Sequence, residues 1–189
     1  MKHLAAAVAL VAVAGFGSAA HAGGYVSAGI GADAGLSGEV AQHFTTDQNG
    51  SSGRVALGQR LGRFAIEVNL YGSDLQGITG LTGQQSYSSM TAGVNARYYV
   101  PLTGHLEAYG KAGLDKTWFV GNADKPATSY SGRGYDLGAG LQYTIHGLLL
   151  GELALWVDYT HQSFTLHDDV KRDLGGGAQL LTVGVSVGF

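Results

Sequence analysis

The sequence contains no cysteine, only two prolines and no run of lysine or arginine. Without cysteine the fold holds no disulfide, and thiolate catalysis and zinc–thiolate sites are excluded. The formal net charge of −3 leaves no clustered basic surface of the kind that supplies affinity for nucleic acid. We therefore expect no nucleic-acid partner.

Long apolar runs are also absent once the first 22 residues are set aside. A basic start at Lys2 precedes an apolar run at residues 4–17, and Ala20 and Ala22 have the spacing of a secretory cleavage site. The run is shorter than the roughly 20 residues of a membrane-spanning helix. We expect a cleaved signal peptide over residues 1–22, followed by one domain over residues 23–189.

Period-two alternation of apolar and polar residues runs through the rest of the chain. Val26, Ala28 and Ile30 share one face of the first segment, and Ser27 and Gly29 share the other. Such alternation is typical of strands with two unlike faces, so the protein is predicted to be all-β. The alternating segments are 25–33, 54–60, 64–70, 91–100, 106–115, 135–145, 153–160 and 181–189.

The connections between these segments alternate in length. Long connections at 34–53, 72–86, 120–132 and 164–177 alternate with short turns at 61–63, 101–105 and 147–151. Tight periplasmic turns and larger outer loops are the pattern of outer-membrane barrels. The sequence therefore predicts an eight-stranded antiparallel transmembrane β-barrel with short periplasmic turns and long extracellular loops.

Charged and aromatic residues follow the same plan. Aromatic residues bracket an aliphatic band, with Phe64, Tyr98 and Tyr143 toward the short turns and Tyr135 and Tyr159 toward the long loops. All the charges within the segments lie opposite the apolar face, which places them inside a barrel. These charges include Arg54, Glu67, Arg97, Glu107, Lys111, Asp115, Asp136 and Asp158.

The final strand carries the most specific motif. Thr182, Gly184, Val187 and Phe189 are spaced as polar, x, Gly, x, x, apolar, x, aromatic. This pattern resembles the terminal signal of the small outer-membrane β-barrels, the OmpA-like and OmpX-like group and the family called outer-membrane protein β-barrel domain. The resemblance implies an outer-membrane location, contact with membrane lipid and lipopolysaccharide, and assembly by the barrel-assembly machinery. It does not imply one activity, because similar barrels serve as anchors, adhesins, pores and enzymes.

The inward charges make the lumen a candidate site. An eight-stranded barrel is only wide enough to be filled by side chains, so these charges must pair or trap water. We place Arg97 roughly opposite Tyr109, with Glu107 and Lys111 as diagonal neighbours and Glu67 on the other side. We therefore predict that Arg97 bridges Glu67 and Glu107, because a guanidinium fork suits two carboxylates better than a lysine does.

His161 and Ser163 are the strongest enzymatic candidate. A lipid A deacylase of similar barrel size carries a His-x-Ser pair at this place, and such an enzyme also needs a carboxylate to orient its histidine. In that family the orienting glutamate lies on the last strand, whereas residues 178–189 of this sequence contain no carboxylate. The alternation also puts His161 on the lipid side. We expect the pair to be two polar residues at a strand end.

A metal site at the outer rim is the other chemical candidate, but its residues lack the spacing of a regular motif, and we expect neither metal nor cofactor. Its residues would be His43, His161, His167, Asp168 and Asp169.

The function expected from these observations is a non-enzymatic envelope scaffold or a surface-contact protein acting through its extracellular loops. A narrow small-solute channel and a lipid A deacylase are the alternatives. Four aromatic residues near the long loops are available for contact with a partner, namely Tyr87, Trp118, Phe119 and Tyr130. The composition of the loops does not identify a ligand.

Overall fold

Antiparallel strands hold most of the residues that the structure describes. The computed structural model describes residues 23–46, 51–77, 86–121, 130–148, 151–167 and 173–189, so the expected signal peptide lies outside the described residues. The elements are β1 (Gly24–Gly38), α1 (Val40–His43), β2 (Phe44–Thr46), β3 (Ser51–Leu61), β4 (Phe64–Gly77), β5 (Ser86–Pro101), β6 (Leu106–Gly121), β7 (Tyr130–Leu148), β8 (Gly151–His167) and β9 (Asp173–Gly188).

Within the described residues, eight long strands close into one ring. Each strand pairs with the next in the order β4-β3-β1-β9-β8-β7-β6-β5, and β5 returns to β4. At the seam between the two ends of the chain, β1 pairs antiparallel with β9 and Val26 lies opposite Val187. A closed ring leaves no unpaired strand edge. The predicted eight-stranded antiparallel barrel is confirmed.

The two faces of the sheet differ as the alternation predicts. Large apolar side chains cover the outside, where Ile30 is 73% exposed and Leu114 is 74% exposed. The inside is polar, and the charged residues predicted to point inward lie on it. An apolar outer band around a polar interior is stable when the surrounding solvent is lipid.

The short turns all lie at one end of the barrel, called here the short-turn end. Gly62 has a φ of 63°, a left-handed conformation that glycine adopts without steric cost. At the next turn the Leu102 amide donates to the Leu106 carbonyl at 2.9 Å. Phe64 and Tyr98 lie side by side outside this end, with ring centroids 4.9 Å apart. They are part of the predicted aromatic belt.

The strands are longer at the opposite end, called here the long-loop end, than the sequence predicts. Strand β4 continues to Gly77 and β6 to Gly121, while β9 begins at Asp173. A membrane-spanning strand needs about 9–11 residues, so strands of 14 to 19 residues project beyond the apolar band. The prediction of loops at 72–86, 120–132 and 164–177 was therefore wrong over much of their length.

The first long connection also contains structure. Helix α1 is a single turn, and β2 pairs with β4 so that Phe44 lies opposite Gly77. Val40 and Phe44 are both buried. No helix in the described part of the chain is long and apolar enough to cross a membrane.

Candidate functional site

A network of buried charges fills the middle of the lumen, and Glu67 is one of its two acidic centres. Arg97 Nη2 lies 2.9 Å from Glu67 Oε2, and Arg54 forms a second ion pair with the same carboxylate. The Tyr25 hydroxyl donates to Glu67 Oε2 at 3.1 Å. Both arginine side chains and the glutamate are fully buried, so each charge is neutralised by its neighbours rather than by water.

Asp158 is the second acidic centre, on the other side of the lumen. Its Oδ2 lies 3.0 Å from Arg54 Nη1 and 2.9 Å from Lys111 Nζ. The Tyr109 hydroxyl donates to the same oxygen at 3.2 Å, and Thr160 donates to Oδ1 at 3.2 Å. Because Arg54 bonds carboxylates on β4 and β8, the network crosses the barrel from wall to wall.

Aromatic rings pack against the buried cations. The Arg54 guanidinium lies 5.0 Å from the Trp156 ring centroid and 5.4 Å from that of Tyr71. Arg97 lies 4.7 Å from the Tyr109 ring centroid. Contacts at these distances are favourable and strengthen in a desolvated site. The aromatic rings and the ion pairs together occupy the middle of the lumen.

The structure separates Glu107 from the place predicted for it. Glu107 forms a bidentate pair with Arg60, at 2.7 and 2.8 Å, near the short-turn end. The register explains the difference, because Arg97 lies opposite Lys111 and Glu107 lies opposite Pro101. The predicted pairing of Arg97 with Tyr109 was therefore shifted by two residues along β6, which places Glu107 four residues from the position opposite Arg97.

The four predicted luminal residues thus belong to two clusters. Arg97 contacts Glu67, and Lys111 joins the same network through Asp158. Arg54 and Asp158 were predicted to point inward, without assigned partners. The contacts of Asp158 with Arg54 and Lys111 join strands that are not neighbours, so pairing between neighbouring strands could not reveal them. The prediction that Arg97 also bonds Glu107 was therefore wrong.

A cluster of buried apolar side chains lies at the long-loop end and is called here the lid; it consists of Val40, Phe44, Leu75, Phe119, Phe164 and Leu166. The Phe44 and Phe119 rings meet edge-on with centroids 5.2 Å apart, and Phe119 and Phe164 are 6.0 Å apart. Phe119, predicted to be available for surface contact, is only 2% exposed. The lid is a second barrier across the lumen.

Two cavities lie beside these barriers. At the short-turn end a cavity of about 460 Å³ is lined by Tyr25, Arg60, Tyr99 and Gln142, among others. Between the network and the lid, a cavity of about 20 Å³ remains, bordered by Tyr71 below and Phe164 above, among others. The smaller cavity has room for about one water molecule. The two cavities have no lining residue in common.

His161 and Ser163 lie on the outer face of β8 and are both half-buried. Their neighbours across the strands include Leu137 and Gln179 beside His161, and Tyr135 beside Ser163. Among the described residues, no carboxylate pairs with His161. The nearby aspartate that can be described, Asp173, bonds His167 at 2.6 Å instead.

The proposed rim metal site is not assembled by the residues that can be placed. Asp168 and Asp169 lie outside the described residues. Within the described ranges, no group of three histidine or acidic side chains could hold a metal ion.

A pair of cations that sequence reasoning missed lies on the outside of the barrel. Lys116 on β6 and Arg133 on β7 are directly opposite one another and exposed. They lie one step beyond the pair of Leu114 and Tyr135 toward the long-loop end. Neither cation forms an ion pair with any carboxylate in the described part of the chain. The predicted segments 106–115 and 135–145 do not include these positions, so the alternation did not assign the two charges to a face.

The four residues of the terminal motif lie along β9. Thr182 and Gly184 face the lumen, with Thr182 opposite Asp158, whereas Val187 and Phe189 face outward. The Phe189 amide donates to the Gly24 carbonyl at 2.9 Å, which ties the last residue to β1. Their role in assembly stays a prediction.

A closed sheet with an apolar outside and a filled, charged inside defines a small outer-membrane β-barrel protein. The sequence model of the outer membrane protein beta-barrel domain matches residues 3–189, and the chain belongs to that family. The protein is accordingly an outer-membrane protein.

Solved structures of other small barrels have a similar fold. Neisserial surface protein A is 17% identical with a TM-score of 0.66, and the match covers 88% of this chain and 97% of that one. Ail of Yersinia pestis, in complex with the heparin analogue sucrose octasulfate, is 13% identical with a TM-score of 0.55, covering 88% and 99%. A major outer membrane protein from Thermus thermophilus is 14% identical with a TM-score of 0.53, covering 89% and 99%. No curated protein sequence matches this chain.

Proposed function

We propose that the protein is a non-enzymatic outer-membrane barrel with a sealed lumen, which acts as an envelope scaffold or surface-contact protein. The supporting observation is the double barrier, an ion-pair network at mid-depth and the apolar lid above it. A sealed interior leaves the outer face and the loops as the surfaces that can meet a partner.

The narrow channel is the first alternative. A solute entering the cavity at the short-turn end meets Arg54, Arg97 and Lys111, each held by a buried ion pair. Passage would require these ion pairs and then the lid to separate, and breaking a buried ion pair costs several kcal/mol. Both barriers favour the sealed state.

The lipid A deacylase is the second alternative. Its serine and histidine would need an orienting carboxylate, and the side chains beside His161 are Leu137 and Gln179. We expect lipid A from cells carrying Ser163→Ala to match that of wild-type cells by mass spectrometry. Loss of a deacylated species in the variant would contradict the non-enzymatic proposal.

Lipopolysaccharide in the outer leaflet is the partner that the outer surface favours. Lys116 and Arg133 are like charges on directly paired positions, an arrangement that is unfavourable until an anion lies between them. A phosphate group offers oxygens to both cations, and the indole of Trp118 lies 5.1 Å from the Lys116 ammonium. We therefore propose that this cation pair holds a lipopolysaccharide phosphate.

Binding of purified lipopolysaccharide to the protein in detergent tests this contact. The double variant Lys116→Ala with Arg133→Ala should bind at least about tenfold more weakly than wild type, because two charge-assisted contacts are lost. Arg63→Ala, which removes an exposed cation at the short-turn end, is the matched control and should bind as wild type does. Equal affinity for the double variant and wild type would contradict the proposed contact.

A further inference from the structure

A second polar cluster adjoins the ion-pair network in the lumen, where Asn95 lies directly opposite Glu67. It is defined here as the oxygen cluster, formed by Asn69 on β4, Asn95 on β5, Asp115 on β6 and Asp136 on β7. These residues are 1%, 0%, 8% and 1% exposed. One oxygen of each side chain accepts no hydrogen bond from the described residues. Buried oxygens without donors are rare in folded proteins and indicate an additional partner.

Two glycines make room for these oxygens to converge. Asn95 and Asp136 both lie directly opposite Gly113, one on each side of it. A Cβ atom at Gly113 would be 2.8 Å from Asp136 Oδ2 and would overlap Asn95 Oδ1. The unpartnered oxygens of Asn95 and Asp136 therefore point into the same space.

A second glycine, Gly93, lies between the other two side chains of the cluster, one step toward the long-loop end. Asn69 and Asp115 both lie opposite Gly93. A Cβ atom at Gly93 would lie 3.4 Å from Asn69 Oδ1 and 3.5 Å from the Asp115 Cβ. Asp115 is a diagonal neighbour of Asp136 across β6 and β7, so the two pairs of side chains are adjacent. Together they line one small region of the lumen.

One hydrogen bond fixes how the cluster presents its oxygens. Asn95 Nδ2 donates to Asp136 Oδ1 at 3.1 Å, which leaves Asn95 Oδ1 and Asp136 Oδ2 outside this bond. The orientation of the Asn95 amide is set by this contact, because its nitrogen must face the carboxylate. The site is thus held in place before any ligand arrives.

When all the buried acidic and basic side chains carry their charges, the charges in the lumen do not balance. Among the described buried residues, Arg54, Arg97 and Lys111 meet Glu67, Asp158, Asp115 and Asp136, which leaves one negative charge in excess. Lys111, the buried cation of β6, is held by Asp158 at 2.9 Å and by the Tyr71 hydroxyl at 3.1 Å. Two neighbouring buried carboxylates need either a counter-charge or a shared proton.

We propose that the oxygen cluster binds one hard metal cation, of the class of Na⁺ or Ca²⁺. Carboxylate and amide oxygens are the ligands that such ions take. Asp115 and Asp136 supply the charge, and Asn69 and Asn95 supply neutral oxygens. The bound ion joins β4, β5, β6 and β7 and stabilises the upper half of the barrel. Because the lid lies above the cluster, the ion enters during folding.

Refolding in defined salts tests the proposal. The protein is refolded into detergent in NaCl, in CaCl₂ or in choline chloride at equal ionic strength, since the choline ion is too large for the site. Thermal unfolding is followed by the loss of the compact band on unheated gels. For wild type, NaCl or CaCl₂ should raise the midpoint by about 5 °C or more over choline chloride. The salt with the larger effect identifies the ion.

Three variants locate the effect. Asp136→Asn removes the charge with little change of shape, and Gly113→Ala fills the space without changing charge; both should lose the cation-dependent rise. Asp74→Asn removes an exposed carboxylate elsewhere on β4 and should keep it. If either Asp136→Asn or Gly113→Ala does not fold, the result for the other variant tests the proposal. Equal wild-type midpoints in all three salts would overturn the proposal and favour a proton shared by the carboxylates. A rise that persists in Asp136→Asn or Gly113→Ala would also overturn it.

Discussion

Arg54 connects two carboxylates on strands that are not neighbours in the barrel. It pairs with Glu67 on β4 and Asp158 on β8, and its guanidinium lies between the rings of Tyr71 and Trp156. A lysine at this position would offer a single charge centre without a planar fork, and could not make both ion pairs and both ring contacts. The two ion pairs and the two ring contacts therefore explain why this position holds an arginine.

The substitution Arg97→Ala tests the buried network at this scale. It removes one of the two guanidinium groups that neutralise Glu67, and stranding a buried charge costs about 3 to 5 kcal/mol. We expect a lower urea midpoint for unfolding from detergent micelles. Arg63→Ala, at an exposed turn position, should stay within about 0.5 kcal/mol of wild type. An Arg97→Ala midpoint equal to that of wild type would show that the network contributes little to stability.

The sequence predicts which charges face the lumen but not which of them meet. Period-two alternation assigns Asp158 and Arg54 to the inner face, yet their contact joins residues 104 positions apart on non-adjacent strands. Such contacts depend on the width of the closed barrel. Glu107 was placed beside Arg97 for a different reason. An error of two residues in the register between β5 and β6 keeps the same side chains facing inward but changes which residues lie opposite one another.

At the scale of elements, the membrane-spanning parts of the strands could be predicted and their outer extensions could not. Alternation is clear only where one face meets lipid, and it weakens where both faces are polar, as at Ser73 and Asp74 of β4. The lid was missed for a related reason. Helix α1 has four residues and β2 has three, which is too short for either period to be recognised.

The terminal strand carries a prediction of its own. We propose that Thr182, Gly184, Val187 and Phe189 form a signal for the barrel-assembly machinery. Removing Phe189 should reduce the amount of protein in the outer membrane by more than about fivefold, measured by immunoblotting of membrane fractions. The packing loss alone is small because the Phe189 side chain is 48% exposed. Phe64→Ala, which alters another exposed aromatic at the same end, should leave the amount near wild type, and equal depletion by both variants would contradict the signal.

At the scale of the whole molecule, closure takes the place of a conventional apolar core. Every long strand in the described ranges has two hydrogen-bonded neighbours, and the chain contains no disulfide. The large apolar side chains face lipid, so the interior is free to hold charge, and its narrow width forces those charges into contact. The same narrow width supports the proposal that the lumen is sealed.

Ion conductance in planar lipid bilayers tests the sealed lumen most directly. Wild-type protein, shown to be folded by its band shift on unheated gels, should give no current steps above those of the bare bilayer. The double variant Phe44→Ala with Arg97→Ala weakens both barriers and should give measurable steps, because water fills the space left by the two side chains. Reproducible single-channel steps from folded wild-type protein would contradict the account.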